Sequence, residues 1–185
     1  MMKTLLTFLA ATFALSGAAL AQDWQVLTYG NLRKPSAETP AMTQIWGDLI
    51  ADNNRYFRDE LKDPRFKTGN APAEFLSHTF TDGQEQITVS LINIARRCDN
   101  GANSASSTDI HGICPLRVVV TGPGGSKTTR TTGCFLVVPP GDPSGLDPRK
   151  NATFAAYDPK QRTVTIRALR EGRPLNGCTA TLKIS

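Results

Sequence analysis

The stretch that comes nearest to a chemical motif in this 185-residue chain is Gly122-Pro123-Gly124-Gly125-Ser126-Lys127-Thr128, which follows an apolar run. It approximates a phosphate-cradling loop, whose pattern is Gly, four residues, Gly-Lys and then Ser or Thr. The pattern breaks where the phosphates would sit. Ser126 replaces the glycine before Lys127, and residues 128–133 (Thr-Thr-Arg-Thr-Thr-Gly) are β-prone and polar, where a phosphate site needs a helix amino terminus. The segment therefore reads as a hairpin turn between two strands.

His78, Asp109 and His111 are the next candidates, because imidazole and carboxylate together build acid-base pairs and metal sites. Asp109 and His111 would share one side of an extended chain, while His78 belongs to a different segment. Neither a Gly-x-Ser-x-Gly elbow nor a His-Glu-x-x-His helix occurs, and no carboxylate spacing selects a pair for glycoside cleavage. No cofactor-binding loop stands out, so no cofactor is expected.

The four cysteines, Cys98, Cys114, Cys134 and Cys178, include no Cys-x-x-Cys pair, which sets zinc aside. Two disulfides are the natural reading. Cys98 with Cys114 would close a Ser/Asn/Gly-rich loop, leaving Cys134 with Cys178. The rival, Cys114 with Cys134, requires a hairpin symmetric about Gly124. That register sets Arg130 opposite Val118 on a face that should be buried.

Charge is distributed unevenly. Residues 22–85 hold 7 basic and 10 acidic side chains, whereas residues 86–185 hold 13 basic and 6 acidic. Arg96, Arg97, Arg149, Lys150, Arg167, Arg170 and Arg173 are thus candidates for a basic binding surface toward an envelope protein or an anionic envelope ligand. Arg167 is expected to be exposed. The competing reading pairs some of these arginines with acids of the preceding helix. Aromatic residues are scarce in the basic half, which argues against nucleic acid.

The elements that would position these residues follow from pattern. Residues 1–21 read as a cleavable signal peptide: Lys3, an apolar run over residues 5–15, and Ala19-Leu20-Ala21. No later run approaches the roughly 20 apolar residues of a membrane span. A periplasmic or secreted location is expected, and Asn151-Ala-Thr153 matches a glycosylation sequon that matters only on a eukaryotic route. Residues 23–29 look like one strand. Met42, Ile45, Trp46, Leu49, Ile50, Tyr56, Phe57 and Leu61 recur at helical spacing over about residues 40–62, with Thr39 as cap and Asn53 interrupting the stripe. From residue 74 onward the period becomes two. Ile87, Val89 and Leu91 alternate, then Ile92 and Ile94 continue in the other phase, which predicts a bulge or a strand buried on both faces.

With 39% hydrophobic and 20% charged residues, the chain is neither a membrane channel, a disordered tail nor a large multidomain enzyme. The expectation is a single α+β domain over residues 22–185, mainly antiparallel β. It would form a sandwich or partly closed barrel of meander type, with one amino-terminal amphipathic helix and two disulfides. A binding or interaction protein of the cell envelope, of inhibitor, immunity or assembly-factor type, fits these features. The alternatives are a hydrolase acting on envelope polymer, through His78, Asp109 or His111, and a carrier of small apolar ligands, with Ala155, Ala168 and Ala180 lining a cavity.

Overall fold

The computed structural model describes residues 23–100, 111–138 and 145–184. The leader-like residues 1–21 and Asp109 lie outside the described residues. The chain runs through β1 (Gln25–Val26), β2 (Thr28–Asn31) and helix α1 (Thr39–Arg55), which continues as a π-helical turn (Tyr56–Glu60), then a 3-10 turn (Pro64–Phe66). The strands β3 (Ala73–Asp82), β4 (Glu85–Ile94), β5 (Asp99–Asn100), β6 (His111–Gly122), β7 (Gly125–Leu136), β8 (Ala152–Asp158), β9 (Thr163–Arg170), β10 (Arg173–Pro174) and β11 (Ala180–Lys183) follow.

All pairings are antiparallel, in two sheets. The first has the order β2-β3-β4-β6-β5 with β7 on β6; the second has β1-β8-β9-β10 with β11 on β9. The sheets pack face to face and do not close into a barrel. Their shared core joins Leu76, Ile87, Val89, Leu91, Leu116 and Val118 to Ala155, Val164 and Ile166. On the other face of the first sheet, Phe75, Ile92 and Ile94 pack against Met42, Trp46 and Ile50 of α1. Three layers result: helix, sheet, sheet.

This layering explains the broken alternation around Ile92. The β3–β4 register runs without interruption from Ala73↔Ile94 to Asp82↔Glu85, so there is no bulge. Leu91 points into the intersheet core and Ile92 toward the helix, and both are buried because both faces are covered.

Two expected elements change. The single strand over residues 23–29 divides at buried Leu27, whose N–H donates to the Thr153 carbonyl. One half pairs with β8 and the other with β3, so this segment stitches the sheets together. Gly30 is essential there, since a Cβ would sit 2.1 Å from the ring of Phe75. The helix cap position belongs to Glu38, not Thr39; the Thr39 hydroxyl accepts the Ser36 N–H, while Glu38 accepts the Ser77 hydroxyl and ties the helix start to β3. Asn53, which interrupts the apolar stripe, is buried and donates to the Pro72 carbonyl. At the other end of the sandwich the hairpin tips are clamped. Tyr157 donates to Asp82 at 2.7 Å, its phenol pushed up to about 12 by burial and then by that carboxylate, and Arg162 pairs with Glu85 at 2.8 Å.

Both disulfides are Cys98–Cys114 and Cys134–Cys178. The hairpin turns on Pro123-Gly124, with Gly122 facing Gly125; this sets Arg130 opposite Arg117 and Cys114 opposite Gly133. The register needed for a Cys114–Cys134 bridge is one residue out of phase. Cys134–Cys178 joins β7 of the first sheet to the segment entering β11 of the second.

In the chain-entropy model a loop of sequence separation 16 is worth about 3 kcal/mol and one of 44 about 4 kcal/mol. Peptide mapping without reductant is expected to find these two linkages. Replacing Cys134 and Cys178 by Ser should lower the urea-unfolding free energy by about 4 kcal/mol. Recovery of a Cys114–Cys134 peptide would contradict the register.

Candidate functional site

Of the residues expected to carry acid-base chemistry, His78 and His111 are described, and they lie apart. His78 lies on β3, half-buried, with its ring 4.6 Å from that of Phe80. Burial holds its imidazole below the ordinary histidine range, opposed by the charges of Glu38 and Asp23. His111 opens β6 opposite Leu136, and its buried Nδ1 has no partner among the described residues. Through β4, His78 aligns with Val118, seven residues along β6 from His111, or about 23 Å at strand rise. Among the described residues no group of three or more His, Cys, Asp or Glu could hold a metal ion.

The seven basic candidates separate into three places. Arg96 and Arg97 turn back onto the helical segment, pairing with Glu60 at 2.9 Å and Asp52 at 2.6 Å. Arg167, expected to be exposed, is half-buried. The amino-terminal segment lays Trp24 over it at 3.8 Å, with the Phe154 ring at 5.9 Å. That covering segment, paired with β8 through Gln25 and Val26, is what alternation along β9 could not reveal. Lys150, Arg170 and Arg173 gather at one end of the second sheet, where Gly172 N–H donates to the Lys150 carbonyl and Arg173 faces Arg170. Arg149 precedes them in the same turn. The sequon residue Asn151 is buried there, donating to the Asp147 carbonyl and accepting the Glu171 N–H. Of the alanines suggested as cavity lining, Ala155 packs in the intersheet core and Ala168 against Cys134 and Leu136, while Ala180 is half-buried on β11.

The arginine that sequence reasoning passed over is Arg117. It lies in the middle of β6 with its side chain only 9% exposed. Nη1 donates to the Ile45 carbonyl at 2.5 Å and to Asp48 at 2.8 Å, and Nη2 to the other Asp48 oxygen at 2.6 Å. Its guanidinium lies 4.5 Å from the Trp46 ring. Trp46 Nε1 donates to Ser90 Oγ, which in turn donates to Met42 Sδ. The available signal was a charge amid apolar alternation, Leu116-Arg117-Val118-Val119-Val120. Such a residue on a helix-covered face needs an acid on that helix, and Asp48 is one turn-facing candidate.

Beside this anchor α1 stops covering the sheet. A groove of about 630 Å³ opens between the helix and β7, lined by Gln44, Asp48, Thr88, Arg117, Thr128 and Arg130 among others. Its outer wall is the edge strand. Ser126, Lys127, Thr128, Arg130, Thr131 and Thr132 are exposed, and among the described residues β7 pairs only with β6 in its sheet.

The direction of the β7 backbone groups follows from register. Two-residue hairpin turns are closed by a pair that exchanges both hydrogen bonds, here Gly122↔Gly125. Odd-numbered β7 residues therefore bond to β6, and Ser126, Thr128, Arg130 and Thr132 turn their N–H and C=O outward. The β3–β4 turn, closed by Asp82↔Glu85, leads to the same parity through β4 and β6. At the far end the outward groups of Cys134 and Leu136 are satisfied by Thr153, whose hydroxyl donates to the Cys134 carbonyl and accepts the Leu136 N–H. Residues 126–132 have no such cap among the described residues.

Compared with known proteins, the chain matches no family model, no curated sequence and no solved structure.

The Arg117 hydrogen bonds hold the Asp48 carboxyl below the usual carboxylate range, opposed by partial burial. A depressed folded pKa contributes stability that is present above the unfolded value of about 3.9 and lost as pH falls through the folded one. Asp48→Asn should cost about 1–2 kcal/mol at pH 7, the low end for a charged pair because Asp48 is 56% exposed. Urea unfolding should show that difference shrinking as pH drops below about 4. A difference constant from pH 7 to pH 3 would show that the carboxylate charge is not what holds Arg117.

Proposed function

We propose that the protein is an exported interaction module of the cell envelope that receives a segment of a partner protein as an added strand along β7. The observation that carries this reading is the outward edge of residues 126–132, uncapped among the described residues, beside a polar groove. An unpaired edge supplies main-chain hydrogen bonds for affinity, and alternate side chains of the added strand meet the groove for selectivity. A leader-like amino terminus and two disulfides support a location outside the reducing cytoplasm. Among the described residues no helix is long and apolar enough to cross a membrane.

The edge is built to be soluble while remaining open. β7 carries Lys127 and Arg130 and five threonines or serines over residues 126–132, and no acid from Gly125 to Leu136. Charged edge residues oppose pairing between identical strands. A second copy would place two lysines and two arginines in one short ribbon.

Peptides selected from a displayed library should shift the backbone amide resonances of residues 126–132. Thr128→Pro removes an outward N–H without breaking a bond to β6, and should abolish this binding while leaving the melting temperature near that of the parent. Binding that survives Thr128→Pro, or shifts confined to the Lys150, Arg170 and Arg173 end, would refute the edge as the docking line.

A further inference from the structure

Resting on that reading, we infer that the segment received by β7 is an acidic polypeptide strand, with Asp or Glu at the alternate positions that face the groove. The even-numbered residues that turn their backbone outward are also those whose side chains line the groove: Ser126, Thr128 and Arg130. An added strand in register with them therefore directs every second side chain over the same face.

Charge on that face is unevenly satisfied. Arg117 and Arg130 are cross-strand neighbours, but only Arg117 has a carboxylate, in Asp48. Among the described residues no hydrogen bond or ion pair engages Arg130, and it is exposed. Among the described residues the groove is lined by two guanidiniums and one carboxylate, together with the hydroxyls of Ser126, Thr128, Thr88 and Thr121 and the amides of Gln44 and Gln86. On the opposite face of β7, Lys127 adds a further positive charge. A carboxylate on the incoming strand would meet Arg130 with the planar two-point geometry that guanidinium favours. An acidic sugar polymer is the less favoured occupant. Among the described residues no aromatic ring lines the groove for a sugar to stack on, whereas the open main-chain edge suits a polypeptide.

The test titrates the protein with three synthetic peptides of alternating sequence, Thr-Glu, Thr-Gln and Thr-Lys, and with an oligogalacturonate. Amide shifts locate each ligand and calorimetry measures its affinity at 0.15 M salt. The Thr-Glu peptide should shift residues 126–132 and bind about tenfold or more tighter than Thr-Gln, a difference of about 1.4 kcal/mol. Arg130→Gln should erase that preference, and Arg130→Glu should transfer it to Thr-Lys. Arg173→Glu, which changes net charge equally at the far end of the second sheet, should leave it within about twofold. Equal binding of all three peptides at β7 would overturn the acidic assignment while leaving strand addition standing. Loss of the preference in Arg173→Glu would overturn it in favour of net charge. Oligogalacturonate shifting the groove while no peptide shifts β7 would overturn both the acidic strand and the reading on which it rests.

Discussion

The position of the helix on the first sheet depends on one buried cation. Arg117 reaches from the centre of β6 to a helix carbonyl and to both oxygens of Asp48 while lying on the Trp46 ring. A guanidinium on a face otherwise covered by Trp46, Phe75 and Ile92 would be intolerable without those partners, so the helix is held in the register that supplies them. The Ser77 bond to Glu38 fixes its start and the Asn53 bond to Pro72 holds its later turns. With α1 held over β3 and β4, no helix among the described residues covers the outer part of β6 or β7. The groove beside the helix lies next to that ion pair, with Asp48 and Arg117 in its lining.

The second sheet completes the arrangement from the opposite side. It packs on the inner half of the β6–β7 hairpin, where Thr153 caps the outward groups of β7 and Cys134–Cys178 fastens the two layers covalently. Beyond Gly133 toward the turn, neither the cap nor the disulfide extends. β7 therefore changes character along its length, from a covered strand of Cys134, Phe135 and Leu136 to an exposed polar one. On the proposed reading, a strand held at one end in this way would act as a preorganised template, lowering the ordering cost of receiving an extended segment.

Much of the architecture was legible in the residues because it is governed by local pattern. The helical stripe from Met42 to Ile50, the two-residue alternations and the glycine-rich turns each depend on neighbours close in sequence. The disulfide pairing that the sequence favoured is the one observed, and it rested on one point of alternation, that the rival register sets Arg130 opposite Val118 on a face expected to be buried. What was hidden depends on contacts distant in sequence. Arg167 alternates outward along β9, yet Trp24, far away in the chain, covers it. Arg96 and Arg97 count toward a basic half until they fold onto Glu60 and Asp52. Arg117 carries no periodic signature, being a single charge in a strand; the helix above it explains its presence. The candidate edge was hidden too, since a Thr-rich strand reads alike whether its outer side is paired or open.

The most direct measurement of the central claim is residue-resolved amide hydrogen exchange along β7 in the unliganded protein. Lys127, Thr129 and Thr131, bonded to β6, should be strongly protected, while Ser126, Thr128, Arg130 and Thr132 should exchange close to the rate of exposed peptide. Protection of all seven amides to a similar degree would show that the outer side of the strand is already paired, and the account of β7 as an open edge would fail.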